Sequence, residues 1–137
     1  MQFKDTILNI ELPSYGVYFL GIGKTGEGRT YVKQLLDEYV HCTHDSNVLT
    51  VTYDSKLFKD EHAKAIKGFQ GEYLMLDRAD RYLSLDLCDL LLRKAEHAYV
   101  LVDCKNIQFW NKLRGRFCQI TIKEDCVMVE PVSTQLH

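Results

Sequence analysis

The sequence has no large excess of either charge and no long apolar run. Its 17 basic and 19 acidic residues give a formal net charge of −2, which disfavours binding to nucleic acid or to an anionic membrane through bulk charge. No apolar run approaches membrane-spanning length, and the first residues do not have the pattern of a secretory signal. We therefore expect a cytoplasmic protein with no membrane partner.

The sequence also lacks a C-x-x-C pair, which argues against a zinc ribbon and against a disulfide framework. A group of metal-capable side chains at positions 41–45 has no partner group at the spacing that zinc requires, so we interpret it as a polar loop. We interpret the cysteines as reduced, mostly buried thiols. They are odd in number and scattered: Cys42, Cys88, Cys104, Cys118 and Cys126.

No repeat, low-complexity tract or linker divides the chain. A length of 137 residues is ordinary for one domain, and 46% apolar residues are enough for a core. We therefore predict a single domain over residues 1–137, without an additional lid domain.

Strand-like and helix-like segments alternate along most of the chain. This alternation predicts an α/β fold, a three-layer sandwich around a mainly parallel sheet of about five strands. A short strand over 6–12 precedes the alternation, and a β-hairpin over 117–122 and 126–129 ends it. Between them the pattern predicts strands over 17–22, 48–53, 73–76 and 98–102, and helices over 30–39, 54–67, 83–97 and 107–113.

A glycine-rich loop follows the strand predicted over 17–22. Residues 23–30 read G-x-x-x-x-G-R-T, the phosphate-loop pattern with Arg29 in place of lysine. Glycines allow successive backbone N–H groups to form an anion-binding nest, and the positive dipole end of the next helix points to the same place. The alternative is a glycine-rich turn that only joins strand to helix. The phosphate-site hypothesis assigns nucleotide binding to Gly23, Lys24, Thr25, Gly26, Glu27, Gly28, Arg29 and Thr30.

A second candidate is the acid that ends the strand predicted over 73–76. This apolar run leads directly into Asp77. A carboxylate at that point can hold Mg²⁺ opposite the phosphate loop, where the Thr30 hydroxyl is a further candidate ligand. Because buried strands often end in an acid, a purely structural role for Asp77 is the alternative.

These two motifs resemble those of P-loop NTPases, in the branch that includes the AAA-type ATPases. Residues 23–30 resemble the Walker A loop, residues 74–77 resemble the Walker B strand, and the resemblance extends over about residues 17–122. It implies a parallel sheet in the strand order 5-1-4-3-2 and a nucleotide, ATP or GTP, bound with Mg²⁺. It also implies that Asp103 or Asn106 lies near the position of the family's sensor residue.

The chain departs from the family pattern at positions that matter for catalysis. Arg29 replaces the lysine, Arg78 stands where a water-polarising glutamate often follows the aspartate, and no helical lid follows the core. Asp80 is a candidate to replace the glutamate, although nothing in the spacing favours it. Because phosphoryl transfer depends on positioned charge, we expect weak or absent intrinsic hydrolysis.

Three functions remain open. The glycines and Thr30 favour a nucleotide-binding domain that is at most a slow NTPase, whereas Arg29 and Arg78 favour a pseudo-ATPase that acts as a protein-interaction module. A small-molecule or nucleotide kinase is the third, although no acceptor-binding insert is visible. The partner common to the first and third is a nucleotide, and a protein partner or a homo-oligomer is left open.

Overall fold

One mostly parallel, seven-stranded sheet organises the computed structural model of the chain, which describes residues 7–10, 12–20, 48–52, 55–56, 59–122 and 126–131. None of the described helices is long and apolar enough to cross a bilayer. The strands are β1 (Ile7–Ile10), β2 (Gly16–Leu20), β3 (Val48–Thr52), β4 (Tyr73–Asp77), β5 (Tyr99–Val102), β6 (Arg116–Ile122) and β7 (Cys126–Pro131). The described helices are α1 (Lys59–Gly68), α2 (Leu85–Lys94) and α3 (Ile107–Leu113), with a 3-10 turn at Ala79–Arg81.

The helices follow the sequence prediction in type but not in every boundary. Helix α3 has the predicted bounds, whereas α1 and α2 are shorter than predicted at one or both ends. Helix α2 begins after Ser84 because the Ser84 hydroxyl accepts a hydrogen bond from the Leu87 N–H at 3.1 Å, which satisfies a backbone donor that the helix leaves without an internal partner. The helix predicted over 30–39 lies outside the described residues.

The prediction of an α/β fold with a mainly parallel sheet is confirmed. Neighbouring strands are parallel except for β6 and β7, which are antiparallel and form the predicted C-terminal hairpin. The strand order is β1-β7-β6-β2-β5-β4-β3 and differs from the predicted five-strand order. The reason lies at one edge, where β7 turns back along β6 and β1 pairs with β7.

The central strands are buried on both faces of the sheet. Val17 and Phe19 of β2 face one side, Tyr18 and Leu20 face the other, and all four are buried. This explains why the central strands are continuous apolar runs in the sequence. The side of Val17 and Phe19 carries the larger cluster, which includes Leu74, Leu76, Val100 and Val102 of the neighbouring strands and Ile66, Leu91 and Phe109 of the three helices.

Candidate phosphate-binding edge

The carboxyl ends of β2, β3, β4 and β5 meet at one edge of the sheet, which we call the carboxyl edge. Asp77 ends β4, Asp103 directly follows β5, and the glycine-rich segment begins in the sequence directly after Leu20 of β2. The register pairs Val102 with both Phe19 and Leu76. The residue that follows each of these three also lies in one row across the edge. This row consists of Leu20, Asp103 and Asp77.

The distances within this row follow from the spacing of strands. Adjacent strands lie about 4.8 Å apart, so the backbone of Asp103 is about one strand spacing from Leu20 and that of Asp77 about two. Alternation along the strands puts Asp77 on the same face as Met75 and Asp103 on the same face as Leu101. The Asp103 N–H donates to the Leu76 carbonyl at 2.8 Å, so strand pairing continues to this row.

The glycine loop itself lies outside the described residues. This holds for every predicted cofactor-binding residue from 23 to 30, including the magnesium ligand Thr30, and for the group of metal-capable side chains at 41–45. Their roles therefore stay predictions. The four remaining candidates, Asp77, Asp80, Asp103 and Asn106, are described, and all four lie at the carboxyl edge.

Asp77 is half-buried and held through both its backbone and its side chain. Its carboxylate Oδ2 lies 3.5 Å from Nε of the exposed Arg78 side chain. Its carbonyl oxygen lies 2.8 Å from the Tyr82 hydroxyl, which is also 3.1 Å from the Val51 carbonyl of β3. Burial raises the pKa of the Tyr82 hydroxyl well above its usual value, and the carboxylates of Asp77 and Asp103 raise this pKa further. Tyr82 is therefore a neutral donor that ties the ends of β3 and β4 together.

Asp80 joins the loop that follows β4 to the loop that follows β5. Its two carboxylate oxygens accept hydrogen bonds from the backbone N–H groups of Lys105 at 2.8 Å and Asn106 at 2.9 Å. The Ala79 N–H adds a hydrogen bond to the Asp103 carbonyl at 2.8 Å. We call these three hydrogen bonds the Asp80 clamp. Both oxygens of Asp80 are thus engaged by the backbone, and its role as a catalytic acid stays a prediction.

Arg78 provides the turn that the Asp80 clamp requires. Its backbone is left-handed, with φ of 50° and ψ of 49°, a conformation that is uncommon for any residue except glycine. The other non-glycine residue with positive φ in the described part of the chain is Arg114, which ends helix α3. A left-handed residue is ordinary at a helix end, whereas Arg78 follows a strand. The conformation is stabilised by the hydrogen bonds that the next two residues make to the β5 loop.

Asn106 begins helix α3. Its side-chain oxygen accepts a hydrogen bond from the Gln108 N–H at 2.8 Å, which is the ordinary arrangement of an N-cap. This contact gives Asn106 a structural role, and its assignment as a sensor residue stays a prediction.

Two carboxylates of this edge, those of Asp77 and Asp103, are candidate magnesium ligands. Mg²⁺ at phosphate sites commonly uses one or two protein carboxylates and takes its other ligands from phosphate and water. Asp77 and Asp103 are both half-buried and lie in one row. The part of the chain that the structure describes contains no cluster of three or more metal-capable side chains. The assignment of Asp77 as a magnesium ligand stays a prediction.

Sequence reasoning missed two features of this site. The left-handed conformation of Arg78 had no local signal because the residue is not glycine. Tyr82 had none either, since its hydroxyl contacts a carbonyl 31 positions away, that of Val51. Both features depend on contacts between segments that are distant in the sequence.

Comparison with known proteins provides no match: no protein-family model, curated protein or solved structure matches the chain. The interpretation of the carboxyl edge therefore depends on its own geometry and on the sequence motifs.

Proposed function

We propose that the protein binds a nucleoside triphosphate, ATP or GTP, with Mg²⁺ at the carboxyl edge and hydrolyses it slowly or not at all. The observation that carries this proposal is the row formed by Leu20, Asp103 and Asp77. It brings Leu20, the residue that directly precedes the glycine-rich segment in the sequence, within about two strand spacings of two half-buried carboxylates. A phosphate nest beside carboxylates that can hold Mg²⁺ is the arrangement that binding of a magnesium nucleotide requires.

The order of the central strands supports the proposal. Within the seven-stranded sheet, whose order as a whole differs from the predicted one, the strands β2 to β6 lie in the order β6-β2-β5-β4-β3. We interpret these five strands as the counterpart of the order 5-1-4-3-2 that the resemblance to P-loop NTPases implies. Strand β3, which follows β2 in the chain, lies on one side of β2, whereas β6, which follows β5, lies on the other. In open α/β sheets, ligands bind at the carboxyl ends of strands where the direction of the connections reverses.

The surroundings of Asp77 support weak hydrolysis. The residue after Asp77 is a cation, Arg78, whose Nε lies 3.5 Å from the Asp77 carboxylate. A guanidinium cannot accept a proton from an attacking water. Asp80, the nearest substitute in the sequence, already accepts two backbone hydrogen bonds.

A thermal-unfolding titration with ATP and GTP, each with and without Mg²⁺, tests the proposal. A nucleotide present at about 100 times its Kd adds roughly 2.7 kcal/mol to the free energy of unfolding, which for a domain of this size raises Tm by about 10 °C. We expect such a rise with Mg²⁺ and a smaller rise with EDTA. No rise with either nucleotide at millimolar concentration would overturn the proposal.

The second candidate is a pseudo-ATPase that binds a protein partner. Two apolar side chains at the starts of neighbouring helices favour it: Leu85 of α2 is 50% exposed and Ile107 of α3 is 61% exposed. Exposed apolar residues are common singly, so this observation alone ranks the pseudo-ATPase below nucleotide binding. An absence of nucleotide binding in the titration would reverse the ranking.

A further inference from the structure

A groove of about 330 Å³ opens at the opposite edge of the sheet, where β4 and β5 begin. It lies between the turn that precedes β4 and the end of helix α2. We call it the amino-edge groove and define it by six of its lining residues: Phe69, Leu90, Arg93, Lys94, His97 and Ala98.

The three basic side chains of the groove, those of Lys94, Arg93 and His97, differ in their partners. The Lys94 ammonium group donates hydrogen bonds to the carbonyls of Lys67 and Phe69, so its charge compensates the negative end of helix α1. The side chains of Arg93 and His97 have no hydrogen-bond or ion-pair partner among the described residues. Both residues are exposed.

The neighbouring acids do not neutralise the positive charge of Arg93 within the groove. Glu72, which follows the turn before β4, accepts a hydrogen bond from the Tyr15 hydroxyl at 3.3 Å and is not part of the groove lining. Glu96 is exposed and is likewise not part of the lining. The charged residues that line the groove are therefore basic.

The floor of the groove is apolar. Phe69 and Ala98 are 6% and 3% exposed and belong to the hydrophobic core, and Leu90 packs against it. An apolar lining with a few polar groups is typical of small-molecule sites, and the volume of the groove lies at the lower end of their range of about 300–1,000 Å³.

We propose that the amino-edge groove binds a small organic carboxylate with an apolar body of about ten to fifteen non-hydrogen atoms. The carboxylate pairs with Arg93 and His97, and the apolar body lies on Phe69, Leu90 and Ala98. Arginine suits this role because its planar guanidinium can donate two parallel hydrogen bonds to a carboxylate. The groove lies at the edge of the sheet opposite to the carboxyl edge, so this proposal does not rest on nucleotide binding.

The first test is an NMR titration of the ¹⁵N-labelled full chain with 3-phenylpropionate. We expect saturable shifts of the backbone amides of Gln70, Gly71 and His97, which line the groove. The neutral analogue 3-phenylpropanol lacks the carboxylate, and the dicarboxylate succinate lacks the apolar body. Each should bind at least fivefold more weakly. Shifts that map elsewhere, or equal binding of the neutral analogue, would overturn the proposal, as would an absence of saturation at about 20 mM.

The second test uses a matched pair of charge-removing substitutions. Arg93→Gln should weaken 3-phenylpropionate binding by roughly fivefold to tenfold. Lys105→Gln removes one positive charge at the carboxyl edge and should leave the affinity unchanged. Both side chains are exposed, so both variants should fold. Equal affinity of the two variants would overturn the pairing with Arg93.

Binding of a peptide rich in glutamate and phenylalanine, without binding of the small carboxylate, would assign the groove to a protein partner and also overturn the proposal.

Discussion

At the scale of single residues, Gly115 shows how closely the end of helix α3 packs against strand β2. A Cβ at this position would lie 2.8 Å from both Cγ1 and the carbonyl oxygen of Val17, and 3.0 Å from Cε2 of Phe19. Such distances are well inside van der Waals contact, and one neighbour is backbone. Glycine is therefore required here by packing, since its backbone does not adopt a left-handed conformation.

We expect Gly115→Ala to lower the free energy of unfolding by about 1–3 kcal/mol, because the added methyl group must displace Val17 or Phe19. Urea unfolding of the variant and of the natural chain measures the difference. Gly68→Ala is the control, since a Cβ at Gly68 meets nothing within 4 Å and alanine favours a helix. A similar effect of both substitutions would show that close packing is not the reason for Gly115.

Substitutions of Arg29 and Asp77 test the proposed phosphate site. We expect Arg29→Lys to strengthen nucleotide binding or to increase turnover, since an ammonium fits the loop as a point charge whereas a guanidinium does not. Asp77→Asn should weaken the Mg²⁺-dependent part of binding and leave the fold intact. Calorimetric titration with ATP, with and without Mg²⁺, measures both effects, and Glu96→Gln is a control at the opposite edge. Binding by Asp77→Asn with unchanged metal dependence would remove Asp77 from the site.

At the scale of elements, the Asp80 clamp makes the loops after β4 and β5 one unit. The 3-10 turn that contains Asp80 and the first residues of α3 are distant in the sequence, yet two carboxylate hydrogen bonds join them. Asp103 is held between these loops through its own N–H and carbonyl. The clamp therefore fixes the backbone of Asp103, a candidate magnesium ligand.

We expect Asp80→Asn to weaken the Asp80 clamp. An asparagine side chain is uncharged and has only one acceptor oxygen, so it cannot replace both charge-assisted hydrogen bonds to the backbone N–H groups. The cost is about 1–2 kcal/mol of stability, and amide hydrogen exchange should accelerate at Lys105 and Asn106. Asp86→Asn, an exposed change in the first turn of α2, is the control. Unchanged exchange in the Asp80 variant together with lost ATP turnover would instead favour a catalytic role for Asp80.

At the scale of the whole molecule, the central strands are buried on both faces of the sheet, and the described thiols are buried with them. Cys88 and Cys104 belong to the larger cluster, and Cys118 is buried on the other face. Burial raises the pKa of the Cys88 thiol to about 11 and those of Cys104 and Cys118 to about 12. These thiols are therefore protonated and poorly reactive in the folded protein near neutral pH.

We expect the protein to lose stability as the pH rises above about 9. The thiols ionise near that pH in the unfolded chain but only near pH 11 to 12 in the folded one. The stability that the protonated thiols contribute is therefore fully present below pH 9. It is lost as the pH rises towards and through the thiol pKa values of the folded protein. Each deeply buried thiol accounts for about 1 kcal/mol at pH 10 after allowance for partial screening, and Tyr82 acts in the same direction. Urea unfolding at pH 7.5 and pH 10 measures the loss, and equal stability at the two values would contradict the expectation.

The sequence alone is enough to predict the types of the described elements and much of their position. Helix α3 has the predicted bounds, and the predicted hairpin is present as β6 and β7. It also determined that Asp77 ends a strand, because an apolar run followed by an acid depends only on adjacent residues. Side-chain periodicity and helix capping act over a few positions, so a short window of sequence contains this information.

The arrangement of these elements, in contrast, is visible only in the folded chain. The sheet has seven strands because β1 pairs with β7 across more than 100 residues of chain, and no local pattern specifies such a pairing. The same reason applies to the Asp80 clamp, the left-handed Arg78 and the amino-edge groove, since each is formed by segments that meet only in the folded chain. Local preference selects helix or strand, whereas the order of strands and the partners of loops are selected by the burial of apolar surface over the whole molecule.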